Sequence, residues 1–166
     1  SNTKYYEAEA SPEGRYMAYA TNQLGQCRVW LYDNLTKKSK CILKQGQKID
    51  RVYDYSYPLI AWHPTGELFS IIMESEGMMK LYTYTLSTRK LESRRIMNFQ
   101  KILDVSYSDD GTKLLMSAMR DGQSDIFIFT AASNAYEEIT KDVYDDRSPR
   151  FSDRSTKLSL SSSRPN

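Results

Sequence analysis

Apolar and polar residues in this chain are set out in short runs cut by turns, never in a sustained helical stripe. Runs such as "YMAYA" from Tyr16, "LFSIIM" from Leu68 and "LLMSA" from Leu114 are each followed, after a Gly-bearing turn, by an aromatic run: "RVWLY" from Arg28, "KLYTY" from Lys80 and "DIFIF" from Asp125. Runs of this length, rich in β-branched and aromatic residues and bounded by turn signals, read as strands. In the aromatic runs both alternating sets are apolar, Val29 and Leu31 against Trp30 and Tyr32, Ile126 and Ile128 against Phe127 and Phe129. Such strands are expected to be covered on both faces. An apolar strand precedes the first turn at Leu59–Trp62, Leu103–Tyr107 and Arg150–Phe151, and a more polar outer strand follows at Lys40–Leu43, Arg94–Met97 and Glu137–Thr140. Charges on that last strand discourage edge pairing. No helix is needed anywhere.

The turns show that the pattern is a repeat. Ser11-Pro12-Glu13-Gly14, His63-Pro64-Thr65-Gly66 and Ser108-Asp109-Asp110-Gly111 each open a copy, and a fourth copy begins at Ser152 with Ser155 in place of the glycine. Side-chain oxygens that bond the local backbone, Pro that presets φ and Gly that accepts a positive φ are hairpin chemistry. Gly14, Gly66 and Gly111 are each followed eleven residues later by Gly25, Gly77 and Gly122, and five residues beyond those stand Trp30, Tyr82 and Phe127. The distance between copies drifts from 52 to 45 to 44 residues, and the drift falls in loops, where extra length costs little. A four-stranded antiparallel unit repeated at this period is the signature of a β-propeller blade. A β-sandwich generates no such internal repeat. The expected fold class is therefore all-β: three complete propeller blades, at about 5–45, 57–98 and 101–141, and half of a fourth at 148–166, one partial propeller over 3–166.

Composition narrows the choice of partner. The chain has 166 residues, 23 basic against 21 acidic side chains and a formal charge of +2, too balanced to mark a nucleic-acid surface. No apolar run approaches the eighteen or so residues of a membrane-spanning helix, so membrane insertion of this segment is not expected. The thirteen tyrosines agree with strands. Cys27 and Cys41 lie on neighbouring strands at unequal offsets from the intervening turn, so they are expected to be free thiols, buried or half-buried, and not opposite each other.

No catalytic constellation emerges. His63 is the only histidine and replaces a turn Ser, so turn hydrogen bonding is its expected role. There is no Gly-x-Ser-x-Gly elbow and no zinc spacing. The acidic "KDVYDDR" from Lys141 lacks the ligand spacing of an EF-hand and reads as a solvated loop. The expectation is a non-enzyme with neither cofactor nor metal. The loops joining successive copies, "DRVYDYSYP" and "KDVYDDRSP", share Val-Tyr-Asp, three residues and Pro. In a propeller these loops and the second turns ring the channel mouth. Tyrosine interleaved with Arg and Asp is the composition of a recognition surface. The binding-face candidates are Arg51, Tyr53, Tyr55, Arg120, Asp121, Tyr144, Asp145 and Asp146; packing between blades is the alternative role of Tyr53 and Tyr144.

The third copy, "YSDDGTKLLMSAMRDGQSDIFIFTAASNAYEEIT", resembles the TolB-like propeller repeat at Tyr107, Ser108, Asp110, Gly111, Lys113, Arg120, Asp121, Gly122, Asp125, Ile126, Phe127, Ile139 and Thr140. The first copy keeps Ser11, Pro12 and Gly14 but has Gln-Leu-Gly where the family has Arg-Asp-Gly, and the second keeps Pro64 and both glycines. The resemblance implies a WD40-like repeat protein of the bacterial periplasm or cell envelope, with a surface that binds a protein or glycan. The same family includes gating domains of peptidases, so a propeller of a larger peptidase or lyase is the second reading. The chain is expected to be a segment of a longer protein, because three and a half blades do not close a ring.

Overall fold

The computed structural model describes residues 2–45, 57–75, 77–96, 99, 101–139, 146–151 and 158–162, with backbone only for Ser75 and for the last two stretches. Every regular element among them is a strand. The strands are β1 (Lys4–Ala10), β2 (Tyr16–Gln23), β3 (Gln26–Asp33), β4 (Lys38–Gln45), β5 (Leu59–Trp62), β6 (Leu68–Ser75), β7 (Met78–Thr85), β8 (Lys90–Arg95), β9 (Lys101–Tyr107), β10 (Lys113–Arg120), β11 (Gln123–Thr130), β12 (Ala135–Glu138), β13 (Asp146–Phe151) and β14 (Leu158–Ser162). They form three four-stranded antiparallel meanders, β1 to β4, β5 to β8 and β9 to β12, and the pair β13–β14. The chain divides into two compact units, residues 1–62 with 66–96, and residues 63–65 with 97–166.

In the first unit the turn chemistry sets the register. Gly14 donates its N–H to the Ser11 carbonyl (2.9 Å), and the Ser11 hydroxyl accepts the Tyr16 N–H (3.0 Å). Gly14 takes φ 81°, which a β-carbon disfavours. Between β2 and β3 only Leu24 and Gly25 intervene, both with positive φ (50° and 80°). That is the type I′ loop whose twist matches its strands. Alternation then gives each sheet a small face and a bulky face. Ala18, Val29 and Leu31 of the first sheet pack on Ile60, Phe69, Ile71 and Tyr84 of the second, small side chains meeting large ones. Phe69 has no exposed surface, a burial that stabilises by about 2–3 kcal/mol. Polar links fasten the two sheets where apolar contact ends: Trp62 Nε1 donates to the Glu9 carbonyl (2.8 Å), Gln45 Nε2 to the Glu74 carbonyl (3.2 Å) and Lys40 Nζ to the Tyr84 hydroxyl (3.1 Å).

The second unit repeats the device. Ser108 accepts the Lys113 N–H on its hydroxyl (3.1 Å) and the Gly111 N–H on its carbonyl (2.9 Å). Ile102, Leu115, Met116, Ile126, Phe127 and Phe129 form its core, with Phe99 closing over Phe127 at a ring separation of 4.7 Å.

Several expectations change. The outer strands of all three sheets begin earlier than expected, at Lys38 instead of Lys40, at Lys90 instead of Arg94 and at Ala135 instead of Glu137. Their starts are set by the hairpin turns that precede them, and all six residues of β8 are exposed, so no apolar signal marks its position. Cys27 is buried as expected, but Cys41 is exposed, because β4 lies at the sheet margin. The thiols are free, with Cys27 opposite Gln45 and Cys41 opposite Trp30.

Candidate binding face

A meander puts its first and third turns at one end of the sheet, and its second turn with the connection to the next sheet at the other. The second end carries the β10–β11 loop. Arg51, Tyr53, Tyr55, Tyr144 and Asp145 lie outside the described residues, and Asp146 opens β13, where only the backbone is described. Arg120 and Asp121 are described, side by side, as the last residue of β10 and the first of the β10–β11 loop.

Their geometry follows from a two-residue loop. Asp121 (φ 54°) and Gly122 (φ 75°) are both left-handed, the Asp-Gly form of a type I′ turn, and Asp121 is exposed. Arg120 is half-buried, with Cζ 5.5 Å from the centre of the buried Phe127 ring. The guanidinium itself therefore lies against the face of the buried ring, within cation–π range. One row inward, Asp125 is buried opposite Ala118, and Asp104 lies opposite Ser117. Ser124 Oγ is buried without a hydrogen-bond partner among the described residues. The sequence signals the turn but not this polar layer, because Asp104, Ser124 and Asp125 read individually as ordinary strand residues.

In the first unit the same end is braced from beneath. Asn22 Oδ1 accepts the Gly25 N–H (3.2 Å), Glu74 Oε1 accepts the Gly77 N–H (2.9 Å), and Arg28 donates to Gln26 Oε1 (2.6 Å). Side-chain caps on turn amides fix the conformation of these loops. Leu24 projects at the tip, 85% exposed.

The opposite end is built for structure. His63 Nδ1 accepts the Thr65 N–H (3.3 Å) and lies 2.8 Å from the Thr65 hydroxyl, which leaves Nε2–H to donate to the Gly111 carbonyl (3.1 Å). The ring stands edge-on to Tyr107. Both nitrogens are thus engaged in holding turns, the role expected of this residue, and none of these contacts is to a carboxylate. Arg15 and Asp33 pair in a fork, Nε to Oδ1 at 3.1 Å and Nη2 to Oδ2 at 3.0 Å, which holds the Asp33 carboxyl down at about 2. Among the described residues no three His, Cys, Asp or Glu side chains converge as metal ligands would.

No protein-family model and no curated protein matches the sequence. Solved structures do match. The chain superposes on TolB from Acinetobacter baumannii with a TM-score of 0.73 at 18% identity, covering 96% of this chain and 38% of that one. For a putative TolB from Agrobacterium tumefaciens the TM-score is 0.66 at 18% identity, with 86% and 48% covered. The β-propeller domain of the Trilobed protease from Pyrococcus furiosus gives 0.64 at 16% identity, with 87% and 45% covered. The chain therefore has the TolB-like β-propeller fold, with the fourth blade partial, and it spans less than half the length of these structures.

Proposed function

We propose that this chain is a binding scaffold without chemistry of its own, a propeller segment of an exported bacterial envelope protein that captures a protein or glycan at the end of the sheets carrying the second turns. The observation that carries this reading is the Arg120–Asp121 loop, a rigid two-residue turn that presents a cation and a carboxylate together above a buried aromatic ring. Preorganised charged groups beside aromatic surface suit recognition. Tyr53, Tyr55, Tyr144 and their charged neighbours Arg51, Asp145 and Asp146 are added to this loop on the strength of the shared sequence pattern alone. The envelope location follows the TolB resemblance. Substituting Arg51, Tyr53, Arg120 and Tyr144 together by Ala is expected to weaken capture of envelope proteins or arrayed glycans at least tenfold while moving the melting temperature by only a few degrees. Binding that survives the substitutions, or a fold that collapses, overturns this assignment; single surface changes normally stay within about 0.5 kcal/mol.

The likeness to the Trilobed protease propeller, and to the tricorn protease at a TM-score of 0.62, favours a second reading, a propeller that screens substrates for a peptidase carried elsewhere in the polypeptide. A Ser nucleophile motif followed by a His in the parent reading frame, with hydrolysis of peptide substrates by its product, would establish it over the first.

A further inference from the structure

The outer strands of the first two sheets carry charge of one sign. Between Asn34 and Gln45 stand four lysines and no acid, and between Leu86 and Arg95 four cations against Glu92 alone, in a chain whose formal charge is only +2. The corresponding stretch of the third sheet, from Ala131 to Glu138, holds two glutamates and no base. Edge protection needs only that like edges repel, which either sign achieves. It explains charged outer strands but not their segregation. The turns that lead into β4 and β8 repeat the preference: Lys37 (φ 60°) and Arg89 (φ 59°) occupy the left-handed position that Asn134 (φ 52°) fills in the third sheet, although asparagine adopts it more readily.

Strand register gathers these cations in one place. Lys38 and Lys40 lie opposite Asp33 and Leu31, on the face of the first sheet that packs against the second. With Arg89 they line a cleft of about 480 Å³ between the two sheets, beside Tyr84 and Leu86. Lys80 and Arg95, opposite each other, extend the same side of the second sheet beyond Tyr82, while Glu92, opposite Thr83, falls on the reverse side. The one carboxylate in the cleft, Asp33, is taken up by Arg15. Lys40 gives the Tyr84 hydroxyl one of its three N–H donors. Among the described residues no carboxylate pairs with Lys38, Lys80, Arg89 or Arg95.

Beside this cleft the sheet has an open edge, since among the described residues β4 pairs only with β3. A strand added there would send every second side chain toward the cleft, at the spacing of Lys38 and Lys40, about 6.8 Å. Lysines that repel another basic edge complement an acidic one. We propose that β4 is a docking edge for an extended acidic segment of a partner protein, with Asp or Glu at alternate positions, which pairs with the β4 backbone and sets its carboxylates against Lys38, Lys40 and Arg89. An acidic glycan would answer the cations alone; the open backbone edge favours a peptide. The site lies away from the second-turn end and stands independently of the function proposed above.

Fluorescence anisotropy of the 166-residue chain with a labelled peptide of about eight residues, alternating Glu and Thr, tests the proposal. The peptide should bind, and weaken about tenfold from 0.05 to 0.5 M salt. An isomer with its glutamates contiguous should bind at least about fivefold more weakly. Of two N-methylated versions, blocked on the Glu or on the Thr amides, one should lose binding and the other keep it, because alternate amides face the sheet. These comparisons need no variant of the protein. Lys38→Gln with Lys40→Gln should weaken binding at least about tenfold, and Lys44→Gln with Lys90→Gln, on the reverse faces opposite Arg28 and Thr85, less than about twofold. Absence of binding, a contiguous isomer that binds as tightly, or loss in neither or both N-methylated versions overturns the proposal. So does an equal effect of the two lysine pairs, and tighter binding of alginate than of the peptide would assign the cleft to an acidic glycan instead.

Discussion

At the scale of single residues, Gly66 and Gly111 carry two duties where Gly14 and Gly122 carry one. All four have positive φ, between 73° and 81°. A β-carbon on Gly14 or Gly122 would meet open space, whereas on Gly66 it would run into the Glu13 carboxylate and on Gly111 into the His63 imidazole. Glu13 is an exposed, flexible chain and can swing aside; His63 is held by Thr65, Gly111 and Tyr107. Urea denaturation should therefore rank the alanine variants: about 1 kcal/mol lost at Gly14 or Gly122, slightly more at Gly66, and about 2–3 kcal/mol at Gly111. Adding His63→Ala to Gly111→Ala should recover part of the loss, a coupling that a purely conformational glycine would not show. The repeat spacing made the positive φ legible, but the second duty depends on a neighbouring turn that no local pattern encodes. The cysteines separate as sharply. Burial pushes the Cys27 thiol up, against a weaker opposing bond from the Tyr6 hydroxyl, while Cys41 is exposed. Because the thiolate is the nucleophile, iodoacetamide should label Cys41 in the native protein and reach Cys27 only on unfolding, as read by mass spectrometry. Asp33 carries a pH signature. Its carboxyl is lowered from 3.8 to about 2 by Arg15, so the pair contributes fully above the ordinary value and is lost as pH falls toward 2. Asp33→Asn should thus lie below the parent in stability at neutral pH and converge with it under acid. Since the pair is exposed, 1 M salt should shrink the gap.

At the scale of elements, the strands divide into those the core specifies and those the turns specify. The second and third strands of the first three copies announce themselves by apolar and aromatic runs, and each predicted run lies inside an observed strand that extends it by two or three residues. The outer strands are exposed and charged, β8 on all six residues, so their limits are set by the preceding hairpin and were misplaced in the sequence reading by up to four residues. Stability should follow the same division. Phe69→Ala, at the packed face between β6 and the first sheet, is expected to cost about 3–5 kcal/mol. Leu91→Ala on β8, where the side chain is 36% exposed, should cost less than about 1 kcal/mol by the same denaturation assay.

For the molecule as a whole, the architecture was legible because the same turn chemistry recurs at fixed spacing, and repetition turns weak local signals into a strong one. The candidate face was legible only as a composition. Arg120 and Asp121 emerge as a shaped loop, whereas Arg51, Tyr53, Tyr55, Tyr144 and Asp145 lie outside the described residues, and repetition specifies turns but not the side chains that a face displays. One feature of the sheets reaches further. Among the described residues every strand pairing joins neighbours in sequence, and the widest register partners, Lys4 with Asn22, Cys27 with Gln45 and Met119 with Lys101, are 18 positions apart. Loops that short close on the submicrosecond scale, and hairpins follow within microseconds, whereas translation adds only about 5–20 residues per second. The first sheet therefore has everything it needs to pair before the second has left the ribosome, and the emerging chain can form its sheets one after another as a procession of hairpins.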